Sequence, residues 1–73
     1  MEEITGVKKL ANGVLVEYRQ EGGRRTAGFT YQELIDMRVN AFDLVENPDD
    51  YLIEPMARQI EARPDKCERH IVR

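Results

Sequence analysis

Between residues 4 and 31 apolar and polar positions alternate with a period of two, as strands with one buried face require. Val14, Val16 and Tyr18 alternate with Leu15, Glu17 and Arg19, and Ala27, Phe29 and Tyr31 alternate with Gly28 and Thr30. Two turn signals divide the run. Asn12-Gly13 is the favoured pair for a two-residue type I′ hairpin, and Gly22-Gly23 offers a second tight turn. With that second turn closed, Val14 faces Tyr31, Val16 faces Phe29 and Tyr18 faces Ala27, which gathers the aromatic and β-branched side chains on one side. The same rule at the first turn pairs Ala11 with Val14, Leu10 with Leu15, Lys8 with Glu17 and Val7 with Tyr18. It leaves Lys9 on the buried face, a fault that a bulge or a longer turn corrects. The pattern predicts a three-stranded antiparallel β-meander within residues 4–29, with strands near 4–11, 14–21 and 24–29. Ile4, Leu10 and Leu15 fall on its outward face.

The period then lengthens. Thr30 to Glu33 form a capping box, in which a threonine hydroxyl and a glutamate carboxylate satisfy amides at a helix start. Leu34, Met37, Ala41, Leu44 and Val45 follow at helical spacing, but Ile35, Val39 and Phe42 lie off that stripe. The expectation is a helix over 31–45, either sandwiched or broken near Val39. Asn47-Pro48-Asp49-Asp50 reads as a second helix start, with a cap, an N1 proline and carboxylates at the positive end of the dipole. Pro55 interrupts it, because an interior proline costs about 3 kcal/mol. The expected continuation is a short turn over 49–53, a helix over 55–63 burying Met56, Ala57 and Ile60, and a tail over 65–73. The fold class is therefore α+β, a single domain in which the meander packs with two short helices.

Composition bounds what so short a chain can do. Its 73 residues allow one core, and a domain of this size buries only roughly 60–65% of the surface its unfolded chain exposes. Such domains lean on a metal, a disulfide, a second copy or a partner. A lone Cys67, with His70 as the single histidine, forms neither an internal disulfide nor a Cys/His metal set. Homo-oligomerisation or partner binding remains. The amino terminus has no basic n-region or apolar h-region, and no long apolar run occurs, so a cytoplasmic location is expected.

Charge is segregated. Eleven basic and fourteen acidic side chains give a net charge of −3, which argues against a protein that wraps nucleic acid. Residues 1–38 hold six of each sign. Residues 39–57 hold no basic residue and five acidic ones, Asp43, Glu46, Asp49, Asp50 and Glu54, and residues 58–73 hold five basic and three acidic. The Asp43, Glu46, Asp49 and Asp50 group matches no EF-hand spacing, and the Asp pair is explained by helix capping. Gly22-Gly23-Arg24-Arg25 precedes a strand, whereas phosphate cradles open onto a helix. Neither Cys67 nor His70 has a partner fixed by local structure, so no catalytic set, metal site or cofactor site is expected.

The hairpin tip is different. Arg19, Arg24 and Arg25 have no obvious use in the core, and guanidinium groups suit bidentate pairing with carboxylates or phosphates. Lys8 and Lys9 extend the basic surface towards a nucleic-acid reading, but the pairing assigns Tyr18, Phe29 and Tyr31 to the core and leaves no stacking platform. Arginines at a turn also keep a hairpin soluble and its edge unpaired. The candidate partner-binding residues are Arg19, Arg24, Arg25 and Leu15, with Asp43, Glu46, Asp49 and Asp50 as a second surface.

In size, segregated charge and absence of a catalytic set, the chain resembles the small host-takeover proteins encoded by bacteriophages, including those that bind bacterial RNA polymerase and those that block CRISPR complexes. The resemblance implies a non-enzymatic regulator, without cofactor, that binds a protein in the host cytoplasm, RNA polymerase first, and inhibits or modifies transcription. The alternative is an inhibitor of a nucleic-acid-handling complex, of the anti-CRISPR or DNA-mimic type, whose acidic middle imitates a phosphate backbone. Weak nucleic-acid binding through the hairpin is the other.

Overall fold

The computed structural model describes residues 1–64, so Cys67, His70 and the tail lie outside the described residues. The expected three-stranded meander is corrected to a five-stranded antiparallel sheet, curled into a half-barrel. Its strands are β1 (Glu2–Lys9), β2 (Gly13–Gln20), β3 (Gly23–Thr30), β4 (Tyr51–Glu54) and β5 (Gln59–Ala62). The spatial order is β3-β2-β1-β4-β5, so β3 and β5 are the edges. Two short helices, α1 (Tyr31–Asp36) and α2 (Ala41–Glu46), and a 3-10 turn at Pro48–Asp50 lie between β3 and β4.

The second turn is built on Glu21 and Gly22, not on Gly22-Gly23. Both take positive φ, 52° and 78°, as a type I′ turn demands. The register therefore slides by two residues: Val14 faces Phe29, Val16 faces Ala27 and Tyr18 faces Arg25. A slip of two keeps every side chain on its expected face, whereas a slip of one would invert them.

The first turn is wider than a two-residue hairpin. Lys9 pairs with Val14, the Leu10 amide donates to the Gly13 carbonyl at 2.8 Å, and neither Asn12 nor Gly13 has positive φ. Gly13 is needed for another reason. A Cβ there would stand 2.1 Å from the Phe29 carbonyl oxygen. Lys9 stays on the core side but at its rim, exposed, with its ammonium 5.3 Å from the centroid of the exposed Phe42 ring. At Thr5 the register of β1 shifts between Ile4 and Gly6. This bulge turns Ile4 from the outward face into the core, where it pairs with Tyr18 and is buried. It also bends β1 so that its first half pairs with β4 while the rest pairs with β2.

The expected 55–63 helix is a β-hairpin. Tyr51 and Ile53 on β4 and Ile60 on β5 are buried at strand alternation, while Met56 and Ala57 are exposed in the connecting turn. Pro55 ends a strand here, a position where its missing N–H costs nothing in the ladder. Residues 31–45 leave helical geometry at Met37–Asn40. The Arg38 amide bonds the Ile35 carbonyl and the Val39 amide bonds the Leu34 carbonyl, both at 2.9 Å, with Arg38 at φ 62°. This is a Schellman stop with arginine in the position usually held by glycine. Asn40 then caps α2 by accepting from the Asp43 amide. Leu34, Val39 and Leu44 press onto Val14, Val16, Tyr18, Phe29, Tyr51, Ile53 and Ile60 to form the core.

Candidate protein-binding surface

Alternation along β2 and β3 divides the arginines of the hairpin between two faces. Arg24 lies directly opposite Arg19 on the outer, convex face, and Arg25 lies opposite Tyr18 on the core side, at the hairpin's far end. Ladder geometry makes the first pair a close one. Gln20 and Gly23 close the two-residue turn and exchange backbone hydrogen bonds, so the next pair, Arg19 and Arg24, is of the narrow kind without them. Like charges directly opposite across a sheet are destabilising. Relief is slight: Arg24 Nη1 stands 4.0 Å from Glu17 Oε2, and Glu17 also accepts from the Thr5 hydroxyl at 3.2 Å. Arg19 and Arg25 make no ion pair within 4.0 Å among the described residues, and both are exposed.

Leu15 is half-buried on the same outer face, between Lys8 on β1 and Gly28 on β3. Leu15 and Lys8 line an open depression with Gly6, Val7, Glu17 and Thr26. Leu10 is exposed beyond the end of β1, and Ile4 is in the core. The outward strip of Ile4, Leu10 and Leu15 is thus reduced to Leu15 and its polar surround.

The acidic middle is partly engaged in holding the fold. Asp43 Oδ1 accepts from the Asn47 side chain at 2.9 Å, and Asp43 Oδ2 accepts a 2.5 Å hydrogen bond from the Tyr51 hydroxyl. Burial, followed by this bond, pushes the Tyr51 phenol well above its ordinary pKa. The Asp49 and Asp50 carbonyls accept from Arg63, through Nε at 2.5 Å and the backbone amide at 2.8 Å. Glu46 and Asp49 are exposed and Asp50 is half-buried. Among the described residues no group of three His, Cys, Asp or Glu is placed to hold a metal ion. No helix there is long and apolar enough to cross a membrane.

One arginine carried no sequence signal. Arg58, at φ 51° in the turn between β4 and β5, reaches across the open side of the half-barrel. Its Nη2 donates to the Gly28 carbonyl at 2.7 Å and to Glu33 at 3.2 and 3.3 Å, and its guanidinium lies 4.6 Å from the Phe29 ring centroid. Glu33 simultaneously accepts from the Thr30 amide at 2.9 Å in the capping box. That backbone bond, and next the Arg58 side chain, hold its carboxyl below the usual glutamate range. Nothing local in the sequence links positions 28, 33 and 58. The only hint is Glu33, whose capping role placed it at the lip of the barrel. Comparison with family models, with curated proteins and with solved structures gives no match.

Proposed function

We propose that this chain is a small non-enzymatic regulatory protein that acts by binding a protein partner through the tip and outer face of the β2–β3 hairpin. The observation that carries this reading is the close Arg19–Arg24 pair: two arginines opposed across a narrow pair, with one carboxylate, Glu17, at 4.0 Å from Arg24 and none within that distance of Arg19 among the described residues. A fold that tolerates such a pair gains from an external acid, because charge-assisted bonds to a partner replace the repulsion. The resemblance in size and build to phage-encoded regulators makes bacterial RNA polymerase the partner to test first, with altered transcription as the consequence. The acidic middle supports a DNA-mimic role less well, since Asp43 is tied to Asn47 and Tyr51 rather than offered to solvent. Nucleic-acid binding is also less well supported, because Tyr18 and Phe29, the aromatics of β2 and β3, are buried and so offer no stacking platform to a base.

Affinity capture from a bacterial lysate tests the reading, alongside binding to purified RNA polymerase. The parent should retain a specific protein and an Arg24→Ala, Arg25→Ala variant should lose it while melting like the parent. Retention at full affinity by the double variant would remove the arginine surface from consideration. A loss confined to DNA, with a steep salt dependence, would replace the protein partner with nucleic acid.

A further inference from the structure

The two edges of the sheet are finished differently. The β5 edge is four residues long, and its outward Ile60 amide points at the Met37 sulfur, 3.3 Å away. The β3 edge is eight residues long and contains no proline. In its ladder with β2 the residues at 24, 26, 28 and 30 belong to the pairs without mutual hydrogen bonds, so their N–H and C=O groups point away from β2. Two contacts agree with this: the Gly28 carbonyl meets Arg58 and the Thr30 amide meets Glu33. Those contacts close the edge at its helical end. From Gly28 back to the turn, the outward groups of Arg24 and Thr26 have no partner among the described residues, and both residues are exposed.

We infer that the open half of β3, Arg24 to Ala27, takes up an extended segment of an acidic protein as a sixth strand, bearing two consecutive carboxylates opposite Arg24 and Arg25. This rests on the protein-binding reading above and specifies how the partner is held. Backbone hydrogen bonds to an exposed edge supply affinity, and alternate side chains supply specificity. Consecutive strand residues point to opposite faces. A single acid therefore reaches either Arg24 and Arg19 on the outer face or Arg25 on the other, and neighbouring acids reach both. Gly28 carries no side chain, leaving room for a bulky partner residue further along. A second copy of the chain is the wrong occupant, because its own β3 brings two more guanidinium groups, and no carboxylate, to the same edge.

The test uses the full chain and a blocked synthetic peptide of sequence Val-Thr-Asp-Glu-Thr-Val-Thr in large excess. Amide hydrogen exchange is followed by NMR. Binding should slow exchange of the Arg24 and Thr26 amides by tenfold or more and leave the inward amides of β3 as they were. A peptide N-methylated on the alternate amides that face β3 keeps its carboxylates and should bind at least tenfold more weakly. Thr26→Pro removes one outward donor without touching the β2 ladder and should do the same, while the exchange measurement on the parent does not depend on how that variant folds. Binding abolished by Arg24→Ala, Arg25→Ala but indifferent to N-methylation, with unchanged Arg24 and Thr26 exchange, would overturn strand addition and leave the arginine surface standing. Failure of the peptide to bind, or self-association through β3 instead, would overturn the inference as well, and lysate capture would then judge the broader reading by itself.

Discussion

The β2–β3 and β4–β5 hairpins are built alike and finished differently. Each turns on a non-glycine residue in the left-handed region, Glu21 at φ 52° and Arg58 at φ 51°, and each presents arginine at or beside the tip. In β4–β5 the arginine is engaged three ways, by the Gly28 carbonyl, the Glu33 carboxylate and the Phe29 ring. In β2–β3 Arg19 and Arg24 face one another, and the carboxylate nearest Arg24 stands at the limit of an ion pair. The same residue type thus serves as a clasp where the fold supplies acceptors and as an unsatisfied surface where it does not. What separates the two is the long-range curl of the sheet, which carries the β4–β5 turn to the β3 edge, whereas the β2–β3 arginines meet, among the described residues, one carboxylate at 4.0 Å.

The largest effect expected belongs to the residue both hairpins share. Phe29 is 4% exposed, pairs with Val14 and seats Arg58. Phe29→Ala should cost about 3–5 kcal/mol, the usual range for a core aromatic, and leave little of so small a domain's stability. Denaturant unfolding checks it. An unchanged midpoint would mean that the clasp and the core beneath it are not joined as described.

Arg58→Ala should cost about 1–2 kcal/mol, from a charge-assisted bond to a carbonyl and a partly exposed cation–π contact. Arg58→Lys should recover little, since an ammonium cannot stack and fork together. Equal tolerance of Arg58→Ala and Arg24→Ala in the same unfolding assay would erase the distinction between the hairpins.

Acidity sharpens the same contrast. The folded state lowers the Glu33 pKa, through the Thr30 amide first and Arg58 second, so its contribution is present in full above the ordinary glutamate value of 4.5. It is lost as pH falls through the folded-state value, because protonation then ends the preference for the folded carboxylate. Glu33→Gln keeps an acceptor for the cap but no charge. Its melting temperature should lie below the parent's at neutral pH and converge on it in acid. A gap that persists unchanged at low pH would assign the effect to packing.

How much of this was legible in the sequence follows from the range of each interaction. The β2–β3 stem and the capping box at Thr30 and Glu33 rest on neighbours within a few residues, and both are read from period and spacing. The register slid by two because Glu21 accepts positive φ, a choice that Gly22-Gly23 conceals. The strand pair over 51–62 reads as a helix over 55–63 because Met56, Ala57 and Ile60 fall at helical spacing behind Pro55, while the alternation of Tyr51 and Ile53 is too short to declare a strand by itself. Pairing of β4 with the first half of β1 decides between them, and that contact spans some fifty residues. The Thr5 bulge, which moves Ile4 from surface to core, was equally hidden. Of the candidate site, Arg24 and Arg25 were visible as charges without local partners, but the opposition of Arg19 and Arg24 appears only once the register is known.

The smallest expected change in stability is the most informative about the free hairpin. Arg24→Thr places a β-branched residue in a strand and removes one member of the like-charged pair, at the loss of a 4.0 Å contact with Glu17. Exposed substitutions of this kind usually move stability by less than about 0.5 kcal/mol, and relief of a cross-strand repulsion contributes a few tenths in the favourable direction. The variant should therefore unfold at an equal or slightly higher denaturant concentration than the parent. Any gain should be larger at low ionic strength and fade as salt screens Arg19 from Arg24. Capture of the partner should fall at least tenfold in the same protein, because an interfacial arginine paired with a desolvated acid is worth about 2 kcal/mol or more. Stability kept and binding lost is the signature of a residue retained for its partner. A clear loss of stability would instead make Arg24 a structural residue like Arg58, and the two hairpins would then differ in shape alone.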